Sequence, residues 1–168
     1  MKFLLSLKAW QLFLIFFLFM MFGILPYVGQ LIKMIWWFIY IGWIYSVGIA
    51  MRNIIPGRFK PNIIYFQYCC LFTCIMAVVF YVFGNNISGN DSMAWLVVLS
   101  FFISTFYIFS FSARMLESAI LGKKVGFLDS IRSFFFFWFF PFGFWYIQPA
   151  MQRVLTKYES KINVSPDL

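Results

Sequence analysis

Apolar runs of about bilayer length alternate with short polar breaks along this chain. A hydrocarbon core of roughly 30 Å takes about 20 apolar helical residues, within about 17 to 25. The first predicted span covers residues 9–25 and stops at Pro26, where Pro-Tyr-Val-Gly makes a tight turn. No small-residue cleavage site follows this run and further spans do, so it reads as a retained span rather than a secretory signal. The second span covers residues 31–51, with Lys33 just inside one end and Trp36, Trp37 and Tyr40 near the same interface. Pro56-Gly57 and Pro61 keep helix out of the next connection. The third span covers residues 63–83 and ends in a turn-forming loop, Gly84 to Asp91. The fourth covers residues 93–112; a mixed-charge connection follows Arg114, in which Gly122 suits a helix C-terminus.

The fifth apolar segment, residues 133–148, breaks this pattern. It is dense in Phe and Trp but interrupted by Pro141 and Gly143, and Pro149 closes it. It reads as a re-entrant or interfacial element, or as a kinked fifth span. Loop charge favours the first. With the N-terminus in the cytoplasm, Lys2, Lys8, Arg52, Arg58, Lys60, Arg114, Lys123, Lys124 and Arg132 all lie inside. A fifth crossing would move Arg153, Lys157 and Lys161 outside. These three form a basic stripe at i,i+4 spacing on a predicted amphipathic helix, residues 149–162, suited to an anionic membrane surface. The fold class expected is therefore all-α, a single polytopic membrane domain over residues 1–168 with four spans, both termini inside, in a bacterial inner membrane.

Composition narrows the function. Of 168 residues, 64% are hydrophobic, 25% aromatic and 11% charged, which excludes an ordinary soluble domain and a disordered chain alike. The absence of His removes imidazole base chemistry and His-ligated metal. The five acids fall in loops or near span ends, so no midplane carboxylate serves proton coupling. Phosphate-binding loops and dinucleotide fingerprints are missing too, and the chain reads as a non-enzyme without cofactor. Net charge is +8, which orientation in the membrane explains before nucleic acid does. An RNA-facing role for Arg58, Lys60, Lys123 and Lys124 ranks last.

Small residues at helical spacing mark candidate packing or pore-lining faces: Gly42, Ser46 and Ala50; Cys70 and Cys74; Ser100 and Ser104. They imply a tight centre of the second, third and fourth spans, with the first packed around it. Cys69, Cys70 and Cys74 lack the His or acid that would complete a metal site and read as packing residues. Arg114 with Glu117, and Asp129 with Arg132, share i,i+3 spacing and form a candidate cytoplasmic docking surface or latch. The expected partners are the bilayer and either a second copy or another protein. The other functional reading is an oligomeric pore or membrane-disrupting effector, with Ser100, Ser104 and Thr105 at its opening.

The segments Ala9-Trp10-Gln11-Leu12-Phe13-Leu14, Gly42-Trp43 with Tyr45-Ser46-Val47-Gly48, and Trp138 to Trp145 followed by Ile147-Gln148-Pro149 resemble an uncharacterised family of small multi-pass bacterial membrane proteins. In that family a tryptophan-glutamine start and a proline-glycine-tryptophan-glutamine-proline end bracket four spans. The resemblance implies a fold and a compartment, not an activity. In size, span count and basic inner face the chain is also similar, more loosely, to membrane accessory proteins of RNA-targeting CRISPR systems, which implies an antiviral role as the alternative.

Overall fold

The computed structural model describes residues 2–25, 28–83 and 92–164, with the side chains of residues 2–3, 83, 92–94, 141 and 161–164 left aside. The turn expected at Pro26-Tyr27, the loop at Gly84 to Asp91 and the side chain of Lys161 lie outside the described residues. Every described element is helical: α1 (Lys2–Ser6), α2 (Ala9–Phe22), α3 (Gly29–Ile54), α4 (Ile64–Phe83), α5 (Ser92–Leu121), α6 (Ile131–Trp138) and α7 (Phe140–Val164), with 3-10 turns at Gly57–Phe59 and Leu128–Ser130. Among the described residues, three stretches are long and apolar enough to cross a membrane: Gly29–Ile54, Ile64–Val82 and Trp95–Leu121. The 14 residues of α2 rise only about 21 Å, short of a bilayer core without the turn that follows.

Local chemistry sets the ends. α3 stops at Ile54 because Ile55, before Pro56, is extended (φ −66°, ψ 139°). The Asn62 carboxamide accepts the Ile64 N–H at 2.9 Å and starts α4. α5 runs well past residue 112, since Arg114 and Glu117 end an apolar run but not a helix. It closes at Gly122, whose φ of +65° is the left-handed conformation of a helix-terminating glycine.

α3 is central and packs against α1, α2, α4, α5 and α7. Two ring clusters hold it. On one side Phe66 of α4 stacks between Tyr45 and Phe111 (5.6 and 4.3 Å between centroids). Gly48 makes that three-helix crossing possible: a Cβ there would meet Phe66 and the Ser112 hydroxyl, both at 3.0 Å. On the other side Trp43 and Phe16 close on Phe144 at 4.7 and 4.9 Å. Edge-to-face and tilted contacts of this kind add about 0.5–1.5 kcal/mol per pair beyond area burial.

The fifth apolar segment is thus part of the core, not an appendage to three packed spans. α6 and α7 form an antiparallel hairpin whose break falls at Phe139 (φ −90°, ψ 67°), two residues before the proline expected to cause it. Pro141 instead occupies the first turn of α7, where a missing N–H costs nothing. The carbonyl it would have paired with, that of Phe137, accepts the Tyr40 hydroxyl from α3. Gly143 lies against the Phe136 carbonyl so closely that a Cβ would sit 1.8 Å from its oxygen. Pro149 does not close the segment: α7 continues through it to Val164, so the separate surface helix expected over residues 149–162 is the second half of α7.

Candidate functional site

The ends of the chain meet at a buried polar junction. α1 is five residues long, and its terminal carbonyls have no helical partner. α7 supplies them from Gln148 and Gln152, which share a face at i,i+4. The Gln148 amide donates to the carbonyls of Leu7, Leu5 and Leu4 at 2.7, 3.0 and 3.3 Å. Gln152 donates to Leu7 and Leu5 at 3.0 and 3.3 Å. The Gln148 oxygen, in turn, accepts the Trp43 indole N–H at 3.1 Å. Gln148 is fully buried, and an amide in such surroundings is tolerated only because both its ends are answered. Beside the junction, Gln11 accepts the Lys8 N–H at 2.8 Å and restarts the chain as α2.

Sequence reasoning quoted Gln11 and Gln148 as motif positions but assigned them no role. The available signal was a neutral amide within an aromatic run, whose burial requires partners.

An open cleft of about 590 Å3 adjoins the junction, walled by α1, α3 and α7. Ser46 and Ala50 lie on it, with Leu5, Ser6, Asn53 and Glu159. The Ser46 hydroxyl bonds to the Gly42 carbonyl of its own helix at 2.7 Å, and a Cβ on Gly42 would meet nothing within 4 Å. The small-residue face expected at Gly42, Ser46 and Ala50 therefore borders space, and Gly48 is the glycine at the helix crossing. Ser100 is exposed, its hydroxyl turned back to Leu96, so it takes no part in packing within the bundle. Ser104 is half-buried and its hydroxyl contacts the Cys69 thiol. Cys70 is buried on α4 and Cys74 half-buried, both as thiols. Among the described residues no His, Cys, Asp and Glu group could hold a metal.

The charged residues at the end of α5 and the start of α6 do not pair as their i,i+3 spacing suggested. Glu117 accepts the Ser133 hydroxyl and ties α5 to α6. Arg114 donates to the Ser110 carbonyl at 3.3 Å, and Asp129 accepts the Gly126 N–H at 3.4 Å. Arg132 lies over the Tyr146 ring, 4.8 Å from its centroid, and so clamps α6 to α7. The connection folds back on α5, with Ser118 accepting the Val125 N–H at 3.2 Å. Arg153 and Lys157 are exposed on α7.

At the opposite end of α3 the accounting differs. The indole nitrogens of Trp36 and Trp37 are buried and without a hydrogen-bond partner, the two such side-chain atoms among the described residues. Each unmade bond costs about 1–3 kcal/mol.

No family model, curated protein or solved structure matches this chain. The reading of its function rests on the geometry above.

Proposed function

We propose that this chain is a non-enzymatic, multi-pass protein of a bacterial cytoplasmic membrane that acts by association, binding a partner protein or a second copy through the inner end of its bundle. The observation that carries the reading is the cleft between α1, α3 and α7, where Leu5, Ile49 and Leu155 mix with Ser6, Asn53 and Glu159. The connection after α5 and the second half of α7 put Lys123, Lys124, Arg153 and Lys157 on the surface at that end. Four crossings by α2 to α5 with the N-terminus inside keep these cations cytoplasmic. The eight residues of α6 rise about 12 Å, less than half of a bilayer core, which suits a hairpin that enters and leaves on the inner side.

Two measurements test this. Ser160→Cys, in a chain with Cys69, Cys70 and Cys74 replaced by Ala, should resist a membrane-impermeant maleimide in intact cells and react after lysis. Labelling in intact cells refutes the orientation. Extraction in mild detergent should yield particles heavier than one copy, and Arg153→Glu with Lys157→Glu should reduce that association. A strictly monomeric protein that retains no partner contradicts the function proposed.

A further inference from the structure

A second cleft, of about 450 Å3, opens at the end of the bundle remote from Gln148. Gln30, Lys33, Met34, Trp36 and Trp37 from the first turns of α3 form one wall, and Ala77, Phe80 and Tyr81 of α4 with Phe101 of α5 form the other. Its chemistry is graded. Lys33, Gln30 and Tyr81 are polar, whereas Met34, Ala77, Phe80 and Phe101 are apolar. Lys33 is exposed and is the sole Lys or Arg between residues 9 and 51. No acid stands near it among the described residues: Glu117, Asp129 and Glu159 all belong to the other end. The rings of Trp36 and Trp37 line this wall, and their indole N–H groups are buried behind it without a partner. Trp43, two turns along the same helix, has its N–H answered by Gln148. One indole is thus satisfied within the chain, and two have no acceptor among the described residues.

We infer that this cleft binds the phosphate end of an anionic phospholipid. The Lys33 ammonium meets a phosphate oxygen, the Trp36 and Trp37 N–H groups donate to headgroup or ester oxygens, and an acyl chain lies along Ala77, Phe80 and Phe101. The indole nitrogens are covered, so donation requires the rings to tilt toward the cleft. An interfacial position suits this ligand, since amphipathic rings and a snorkelling Lys both favour the headgroup level. The outer leaflet supplies the lipid if the orientation proposed above holds. The maleimide labelling separates a failure of orientation from a failure of the site, because lipid binding is read without reference to sidedness.

The test uses the full chain in nanodiscs of phosphatidylcholine with a fraction of phosphatidylglycerol, and lipid retention is read by native mass spectrometry after release. Phosphatidylglycerol should be retained in preference to phosphatidylcholine. Lys33→Ala should lower that preference about fivefold, and Lys33→Arg should keep most of it. Trp36→Phe with Trp37→Phe, which keeps both rings and removes both donors, should weaken retention with the helical circular-dichroism signal intact. Tryptophan fluorescence should shift on adding phosphatidylglycerol in the unsubstituted chain and much less in this variant. Equal retention of the two lipids, or a preference that survives Lys33→Ala, overturns the inference. Displacement of the lipid by millimolar inorganic phosphate also overturns it, because the site would then take the anion and not the amphiphile.

Discussion

Trp43 and the Trp36–Trp37 pair sit on one helix and present the same donor to opposite outcomes. Trp43 is fully buried and its N–H meets Gln148, which also holds the carbonyls of Leu4 and Leu5 in α1 and of Leu7 just after it. Trp36 and Trp37 are packed among rings, Trp36 at 5.3 Å from Tyr40 and 5.2 Å from Phe140, yet their N–H groups meet no acceptor. All three rings stack on or abut other rings, so ring contact does not separate them; polar satisfaction does. The junction at Gln148 is structural, a place where the chain completes itself. The cleft at Trp36 and Trp37 is incomplete by the same measure.

The largest effect expected is at the hairpin that carries Gln148 to its position. Gly143→Val places a side chain where the Phe136 carbonyl already stands and should cost about 4 kcal/mol or prevent folding, read as loss of monodisperse protein in detergent. Next, Gln148→Leu leaves the Trp43 N–H and the Leu4 carbonyl unanswered, with Leu5 and Leu7 held by Gln152 alone, and should lower stability by about 2 kcal/mol in a thermal melt. Gln152→Leu should cost less, since Gln148 still serves the carbonyls of Leu5 and Leu7. Tyr40→Phe removes the donor to the Phe137 carbonyl and should cost about 1 kcal/mol. The smallest effect is the sharpest contrast. Trp43→Phe should destabilise, while Trp36→Phe and Trp37→Phe should each fall within about 0.5 kcal/mol of neutral or stabilise in lipid-free detergent, because a donor without a partner is removed.

Much of the helical frame was legible in the apolar pattern. α4 falls where the third run predicted it, and Gly122 ends α5 as its residue type suggested. What the pattern hides is helix that continues through charge, as α5 does at Arg114 and Glu117, and helix that continues through proline, as α7 does at Pro149. A proline marks a missing donor, not the place of a break: the break falls at Phe139, ahead of Pro141, and α7 runs through Pro149. The Phe137 carbonyl at that break is answered by Tyr40, far away in sequence. The same limit applies to the glycines of α3. Gly42 and Gly48 are alike as residues, and only the approach of Phe66 and Ser112 shows which one lies at a crossing. The role of Gln148 was hidden for a further reason, since its partners belong to the first residues of the chain.

A double-mutant cycle pairing Trp43→Phe with Gln148→Leu, followed by unfolding in detergent, tests the contrast most directly. Coupling of about 1 kcal/mol is expected between these two, and essentially none when Trp36→Phe replaces Trp43→Phe in the cycle. Additive behaviour for Trp43 and Gln148, or equal coupling for both tryptophans, would contradict the account.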